Sequence, residues 1–248
     1  MHAPNWLTAR PIAHRGLHDK TKGVIENTPS AARAAIAHDF AIECDVQLSA
    51  DGEAMVFHDF TLDRLVDAAG PVSARKAAEL GVLAYKATTD RIPTLAQYLA
   101  LIAGRVPLVC EIKSRFDGDM RLTDRVAAVA AEYKGPLALT SFDPAVVRHL
   151  RRLGVKNPLG IVALRVYDDP EWAGISEAGK YALTHMLHFN ETRPDFLSYW
   201  VGDLPSAVPM LCRAAVKMPV MTWTVRTPEQ RAVAGKWADQ MVFEGFIP

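Results

Sequence analysis

The sequence predicts an α/β fold: a single TIM-type (β/α)8 barrel with a small insertion after the third strand. Three observations lead there. Short apolar, strand-like runs alternate with helical runs along the chain, the pattern of βα units and a largely parallel sheet. A length of 248 residues favours a closed barrel over an open doubly wound sheet. No composition break, low-complexity linker or internal repeat divides residues 1–248, which read as one domain. Nucleotide-fold fingerprints are missing, with no G-x-G-x-x-G after the first strand and no G-x-x-x-x-G-K-[ST].

Arg10 to Gly16 reads as a short buried strand ending at a turn. Thr28 and Pro29 suit the N-cap and first position of a helix over the alanine-rich run Ser30 to His38. Phe40 to Leu48 and Glu53 to His58 are the next strands, and residues 61–90, polar and broken by Gly70-Pro71, form the insertion. Thr94 and Gln97 make a capping box for a helix from Leu95 to Ala103. Strands then fall at Pro107–Ile112, Leu137–Thr140, Leu159–Leu164, Phe196–Val201, Val220–Val225 and Gln240–Phe246. Helices fall between them at about 123–133, 144–153, 206–216 and after Thr227, while residues 168–192 read as mixed loop and short helix. These are nine strands for an eight-stranded ring, so one must extend above the barrel or lie outside it.

Lys plus Arg equals Asp plus Glu, and the formal net charge is zero. No global field favours nucleic acid or a membrane surface, so an anionic small molecule would need local basic groups. The odd count of three cysteines, without metal-ligand spacing, fits buried thiols in a reducing compartment. No run approaches the roughly 18 to 20 apolar residues of a membrane span. The N-terminus lacks a signal peptide's apolar stretch, and the expectation is a cytoplasmic protein.

The chemistry concentrates around Ile42 to Asp59. Asp51-Gly52 is a strong hairpin signal, and taken as a two-residue turn it places Asp45 opposite His58, with Glu43 on the same face as Asp45. His14-Arg15 and Glu111 with Lys113 also sit late in strands, where barrels of this kind carry their chemistry. Singly, each has a structural explanation, a satisfied histidine or half a salt bridge; together at one barrel mouth they point to a site. Two carboxylates about 4 Å apart repel by roughly 4 kcal/mol at an effective dielectric near 20, so Glu43, Asp45 and Glu111 call for protonation or a cation. An all-oxygen set suits Mg²⁺ or Ca²⁺, with Mn²⁺ possible. A cation with Arg15 and Lys113 makes a pocket for a phosphate anion, and two histidines supply a general acid and a general base. Phosphodiester cleavage needs that set. His149, His185, His188 and His18 are read as structural or solvated.

His14-Arg15-Gly16, Glu26-Asn27-Thr28, Glu43-x-Asp45, His58-Asp59 with Leu62-Asp63-Arg64, Pro93-Thr94-Leu95, Glu111-Ile112-Lys113, Ser141-Phe142 and Trp223-Thr224-Val225 together resemble the glycerophosphodiester phosphodiesterases. The match runs in the family's order from about residue 10 to 225 and is more specific in its first half. The resemblance implies metal-dependent hydrolysis of glycerophosphodiesters to glycerol 3-phosphate and an alcohol. It implies His14 and His58 as the acid–base pair and Glu43, Asp45 and Glu111 as ligands of a divalent metal. Arg15 and Lys113 would hold phosphate, Glu26 and Asn27 would line the site, and Trp223 would pack against the glycerol end. It further implies two steps through a cyclic phosphate, with His14 as first base and His58 as first acid. Related lyases stop at the cyclic phosphate, and a non-catalytic phosphoester-binding barrel is a third reading. The chain departs from the family where Arg226 replaces an asparagine that often follows Trp-Thr-Val. It departs again where Glu244-Gly245 stands in place of a Thr-Asp pair before proline. Both departures fall at the glycerol side of the expected pocket and bear on substrate identity more than on the phosphodiester chemistry.

Overall fold

The computed structural model describes residues 3–248. Nine strands form one sheet: β1 (Ile12–Ala13), β2 (Ala41–Leu48), β3 (Ala54–Val56), β4 (Leu108–Ile112), β5 (Leu137–Ser141), β6 (Leu159–Ala163), β7 (Phe196–Trp200), β8 (Val220–Val225) and β9 (Gln240–Phe243). Every pairing is parallel except β2 with β3, and β1 pairs with both β2 and β9. Eight strands therefore close a ring, and β3 is the ninth, hydrogen-bonded to β2 on its outside. That resolves the surplus strand.

Helices α1 (Pro29–Ala37), α2 (Ala77–Leu80), α3 (Leu95–Ile102), α4 (Arg121–Glu132), α5 (Pro144–Arg152), α6 (Glu177–Thr184), α7 (Phe189–Thr192), α8 (Ala207–Leu211) and α9 (Pro228–Trp237) connect the strands. Their starts follow the sequence cues closely. The side chains of Thr28 and Asp143 accept the amides of Ala31 and Ala145, and Thr94 with Gln97 and Thr227 with Gln230 form capping boxes. The helix expected over 206–216 is α8 followed by a wider π-helical turn at Cys212–Val216. The unparsed region 168–192 resolves into a 3-10 turn at Pro170–Trp172, α6 and α7.

Side chains alternate across each strand, and the alternation divides the barrel into layers. Outward residues such as Ile42, Cys44, Val46, Cys110 and Leu139 pack against Ala32, Leu99, Val126 and Leu150 of the helices in the main core. Leu7, Ile12, Ala41, Val109, Ala138, Phe196, Met221 and Val242 form an apolar plug inside the ring. Gly160 belongs to this fit, because a Cβ there would meet the Phe196 ring at 2.3 Å. Two residues further along the same strands stand His14, Glu43, Glu111, Thr140, Ser198, Trp223 and Glu244. The interior is thus closed by hydrocarbon at one end and lined with polar groups at the other.

The hairpin between β2 and β3 corrects one expectation. Val46 pairs with Val56 and Leu48 with Ala54, so Asp45 comes opposite Phe57 rather than His58. The turn uses three residues, Ala50, Asp51 and Gly52: the Ser49 amide donates to the Glu53 carbonyl, and Gly52 takes the left-handed conformation at φ +85°. A one-residue slip along a continuing strand would send His58 to the other face. It does not, because β3 stops at Val56. Phe57 enters a second small core with Met55, Leu62, Leu65, Val66, Val72, Leu80, Tyr85, Ile92 and Ile25, and His58 turns back to the barrel mouth, its carbonyl held by Gln47 Nε2 at 2.8 Å. Most of that second core comes from residues 61–90.

Candidate active site

A cavity of about 640 Å³ opens at the polar end of the barrel, within the range of small-molecule sites. His14, Arg15, Glu43, Asp45, His58, Glu111, Lys113 and Trp223 all line it. Glu43 and Asp45 come from alternate positions of β2, and the β2–β4 register sets Asp45 level with Glu111. One carboxylate oxygen from each of the three buried acids lies within 4.8 Å of the others. Lys113, two residues beyond Glu111 and therefore on its face, places Nζ 2.8 Å from Asp45 and 2.6 Å from Glu111.

The charges here are unevenly compensated. Burial, then the neighbouring Asp45 and Glu111, push the Glu43 carboxyl well above the usual carboxylate range, against the pull of Arg15. Burial acts on Asp45 in the same sense, but Lys113, His58 and Arg15 overcome it and hold that carboxyl well below its ordinary value. The trio therefore contains one carboxylate that the protein's own cations do not neutralise. Three hard oxygen donors with surplus negative charge fit a divalent ion, which Glu43, Asp45 and Glu111 could hold.

Arg15 sits just past β1 with φ +56°, a left-handed conformation costing about 1 kcal/mol for a side chain with a Cβ. That turn aims its amide at Glu43 Oε2, 2.9 Å away, while NH1 donates to Glu26 at 2.6 Å and Nε lies 3.5 Å from Asp45. Gly16 follows at φ +79°, where a Cβ would come within 2.9 Å of the Ala31 backbone. Glu26 and Asn27 stand behind the cavity wall rather than in it. Glu26 accepts from both Arg15 and Arg64, which hold its carboxyl at about 2 against the opposing effect of burial. Asn27, at φ +58°, donates Nδ2–H to Asp45 at 2.9 Å.

Each cavity histidine is gripped at Nδ1 by a carboxylate. His14 Nδ1 is 2.6 Å from Glu244 Oε2, and His58 Nδ1 is 2.8 Å from Asp59 Oδ1. An ionised carboxylate can only accept, so both rings carry hydrogen on Nδ1 and leave Nε2 for other chemistry. Burial lowers the His14 pKa to about 4, assisted by Arg15 and opposed by Glu244, so the ring is neutral at neutral pH. Its Nε2 lies 4.0 Å from Glu43 Oε2. Asp59 is fixed in turn by Arg64 through bonds of 2.6 and 2.8 Å, and Arg64 reaches on to Glu26. Arg226 clamps Glu244 with two contacts of 3.1 Å.

Glu244 is the residue that sequence reasoning placed on the substrate side and the structure places on His14. The signal was available: Val242 and Glu244 share a face, two residues apart, as Ile12 and His14 do. Arg226 is committed to that carboxylate. Trp223 donates Nε1–H to the Ser198 carbonyl and meets Phe142 edge to face at 5.5 Å. Phe142 also contacts Trp172, which packs against Phe116 and Tyr167. His18 lies 3.8 Å from Glu244, His149 bonds Asp124 rather than water alone, and His188 is buried against Thr192.

A closed parallel barrel whose mouth joins paired histidines, an acidic trio and buried cations defines a phosphodiesterase class of enzyme. The comparisons agree. Residues 14–247 match the model of the glycerophosphoryl diester phosphodiesterase family, and the chain belongs to that family. It is 30% identical over 189 residues to a glycerophosphodiester phosphodiesterase of Caldanaerobacter subterraneus subsp. tengcongensis, covering 72% of this chain and 76% of the relative. The fold is shared with an Oleispira antarctica phosphodiesterase solved with the product sn-glycerol-3-phosphate. That structure has a TM-score of 0.75 and 20% identity, covering 94% of this chain and 91% of the other. It is also shared with a glycerophosphodiester phosphodiesterase of Thermotoga maritima, at TM-score 0.69 and 22% identity, covering 94% and 92%. No helix among the described residues is long and apolar enough to cross a membrane.

Proposed function

We propose that the protein hydrolyses glycerophosphodiesters to glycerol 3-phosphate and an alcohol, with a divalent ion on Glu43, Asp45 and Glu111 and with His14 and His58 as the acid–base pair. The observation that carries this reading is the pair of imidazoles, each tautomer fixed by a carboxylate, in one cavity with an under-neutralised acidic trio. When bound, the ion supplies positive charge to the non-bridging phosphoryl oxygens.

In the first step His14 Nε2 takes the proton of the glycerol 2-hydroxyl as that oxygen bonds to phosphorus. The phosphorus–alcohol bond breaks, and His58, protonated at Nε2, delivers its proton to the leaving oxygen. In the second step His58 Nε2 accepts a proton from water, the water oxygen bonds to phosphorus, the ring P–O2 bond breaks, and His14 returns its proton to O2. Arg15 and Lys113 hold the phosphate, Glu26 and Asn27 keep Arg15 and Asp45 in place, and Trp223 packs against the glycerol carbons. Burial of His14 supports its assignment as first base, because a neutral ring is ready to accept.

The test is a panel of glycerophosphodiesters with Mg²⁺, Ca²⁺ or Mn²⁺, with and without EDTA, reading glycerol 3-phosphate. Divalent-dependent release is expected. No release with any of the three ions overturns the reading, and a cyclic phosphate that persists by phosphorus NMR replaces it with a lyase.

A further inference from the structure

The proposed steps leave Arg64 without a part, although its side chain joins both sides of the charged wall. Arg64 lies in the insertion, in a turn where the Leu65 and Val66 amides donate to the Leu62 carbonyl. Leu62, Leu65 and Val66 are buried in the second core, which fixes the backbone on both sides of it. The side chain, 41% exposed, reaches back to the barrel. One edge of the guanidinium, Nε and NH2, donates to both oxygens of Asp59 at 2.6 and 2.8 Å. The other edge, NH1 and NH2, donates to both oxygens of Glu26 at 2.9 and 2.7 Å. Beyond Asp59 stands His58, its Nδ1 2.8 Å away. Beyond Glu26 stands Arg15, whose NH1 shares Oε1 of that carboxylate at 2.6 Å. An unbroken chain of bonds thus runs from the proposed proton donor to the proposed phosphate grip, through one side chain outside the ring.

The guanidinium is rigid and planar, with its donors in a fixed fork. Held by two oxygens on each edge, it cannot swing towards one carboxylate without changing its angle to the other. Burial pushes Asp59 up, but the bonds from His58 and Arg64 overcome it and keep that carboxyl ionised. The Gln47 bond to the His58 carbonyl fixes the end of the hairpin but not the imidazole, whose orientation is left to Asp59. We propose that Arg64 is a positioning residue that couples the orientation of the His58 imidazole to that of the Arg15 guanidinium. This rests on the hydrolytic reading above, in which His58 serves the leaving oxygen and Arg15 the phosphate. Lysine cannot take the role, because a single ammonium has no pair of parallel donors for each carboxylate.

Two measurements test the coupling. In the first, kcat and KM for glycerophosphodiester hydrolysis are measured for Asp59→Asn, Glu26→Gln and the double variant, then again with Arg64→Lys added to each. Arg64→Lys alone should lower kcat about 10- to 100-fold and raise KM, because both ends of the chain are released. Asp59→Asn and Glu26→Gln should be non-additive in kcat/KM by about fivefold or more, and additive once Arg64 is lysine. Additivity in the original chain, or non-additivity that survives Arg64→Lys, overturns the coupling while leaving hydrolysis intact. The second measurement needs no turnover: the imidazole nitrogen-15 signals of His58 are recorded at one fixed pH. Glu26→Gln, which touches neither His58 nor Asp59, should move them in the original chain and leave them in place when Arg64 is lysine. If Arg64 merely braces the insertion, Glu26→Gln moves nothing in either background, and the coupling is overturned even if no diester is cleaved.

Discussion

The two halves of the barrel mouth are built on different principles. The strands β1, β2, β4 and β9, with the β3 hairpin, supply His14, Arg15, Glu43, Asp45, His58, Glu111, Lys113 and Glu244. The other half presents Phe142, Trp172, Trp200 and Trp223, with Glu171 and Arg226 as its only charged lining residues. In the first half, charged groups are buried and hold one another, and Glu43 is the carboxylate left without sufficient compensation. In the second, Phe142 packs against Trp172 and Trp223 and these rings contribute stability, while Trp200 stays exposed. The two walls should therefore respond differently to substitution.

The largest effect belongs to the charged wall. His14→Ala and His58→Ala should each reduce kcat by about 10² to 10⁴-fold while leaving the far-ultraviolet circular dichroism unchanged. Full activity in either variant would remove that histidine from the mechanism. The aromatic wall should fail in the opposite manner. Trp172→Ala removes a nearly buried ring in contact with Phe116, Phe142 and Tyr167 and should cost about 3 kcal/mol in urea unfolding. A loss confined to activity would show that the rings carry chemistry rather than packing.

Smaller changes sharpen the division. Glu244→Gln keeps the shape but takes the negative charge from His14, and kcat should fall on the order of 10- to 100-fold with KM little altered. Finally, Glu43→Gln should stabilise the metal-free protein at pH 7.5 by about 1 kcal/mol, the usual size of one stabilising change. The sign follows from linkage. A carboxyl whose pKa is raised on folding leaves the native state with more bound protons than the unfolded chain. Stability is then greatest below the unfolded pKa and is lost as pH rises above it. Thermal unfolding with and without Mg²⁺ checks this: the ion should raise the wild-type Tm more than that of the variant.

The same division explains what could be read from the sequence. His14-Arg15, Glu43-x-Asp45 and Glu111-x-Lys113 are adjacent or alternate residues at strand ends, so strand periodicity alone puts them on one face. Phe142 follows β5, Trp172 lies on a 3-10 turn after β6 and Trp200 ends β7, and nothing local joins them before the barrel closes. The ring was legible because its strands alternate with well-capped helices such as those at Thr28, Thr94 and Thr227. The hairpin register was not, because Asp-Gly serves two- and three-residue turns alike; Asp51 stays out of the left-handed region that a two-residue type I′ turn requires of both central residues, and Gly52 alone adopts it, the pattern of the longer turn. Glu244 was visible as an oddity, but its partner is 230 residues away, and only closure of β9 onto β1 brings them together.

The extra strand has a consequence for how activity can be lost. His58, Asp59 and Arg64 do not belong to the ring; they are carried by β3 and the small core of Phe57, Leu62, Val66, Val72, Leu80 and Tyr85. Local opening of that core needs less free energy than unfolding the barrel, since fewer buried contacts are given up. Under the mechanism proposed above, opening of that core alone would silence the enzyme while the barrel stays folded. An intact barrel by spectroscopy would be no guarantee of a working proton donor, and hydrogen exchange at the amides of residues 57–72 would report competence better than any global midpoint.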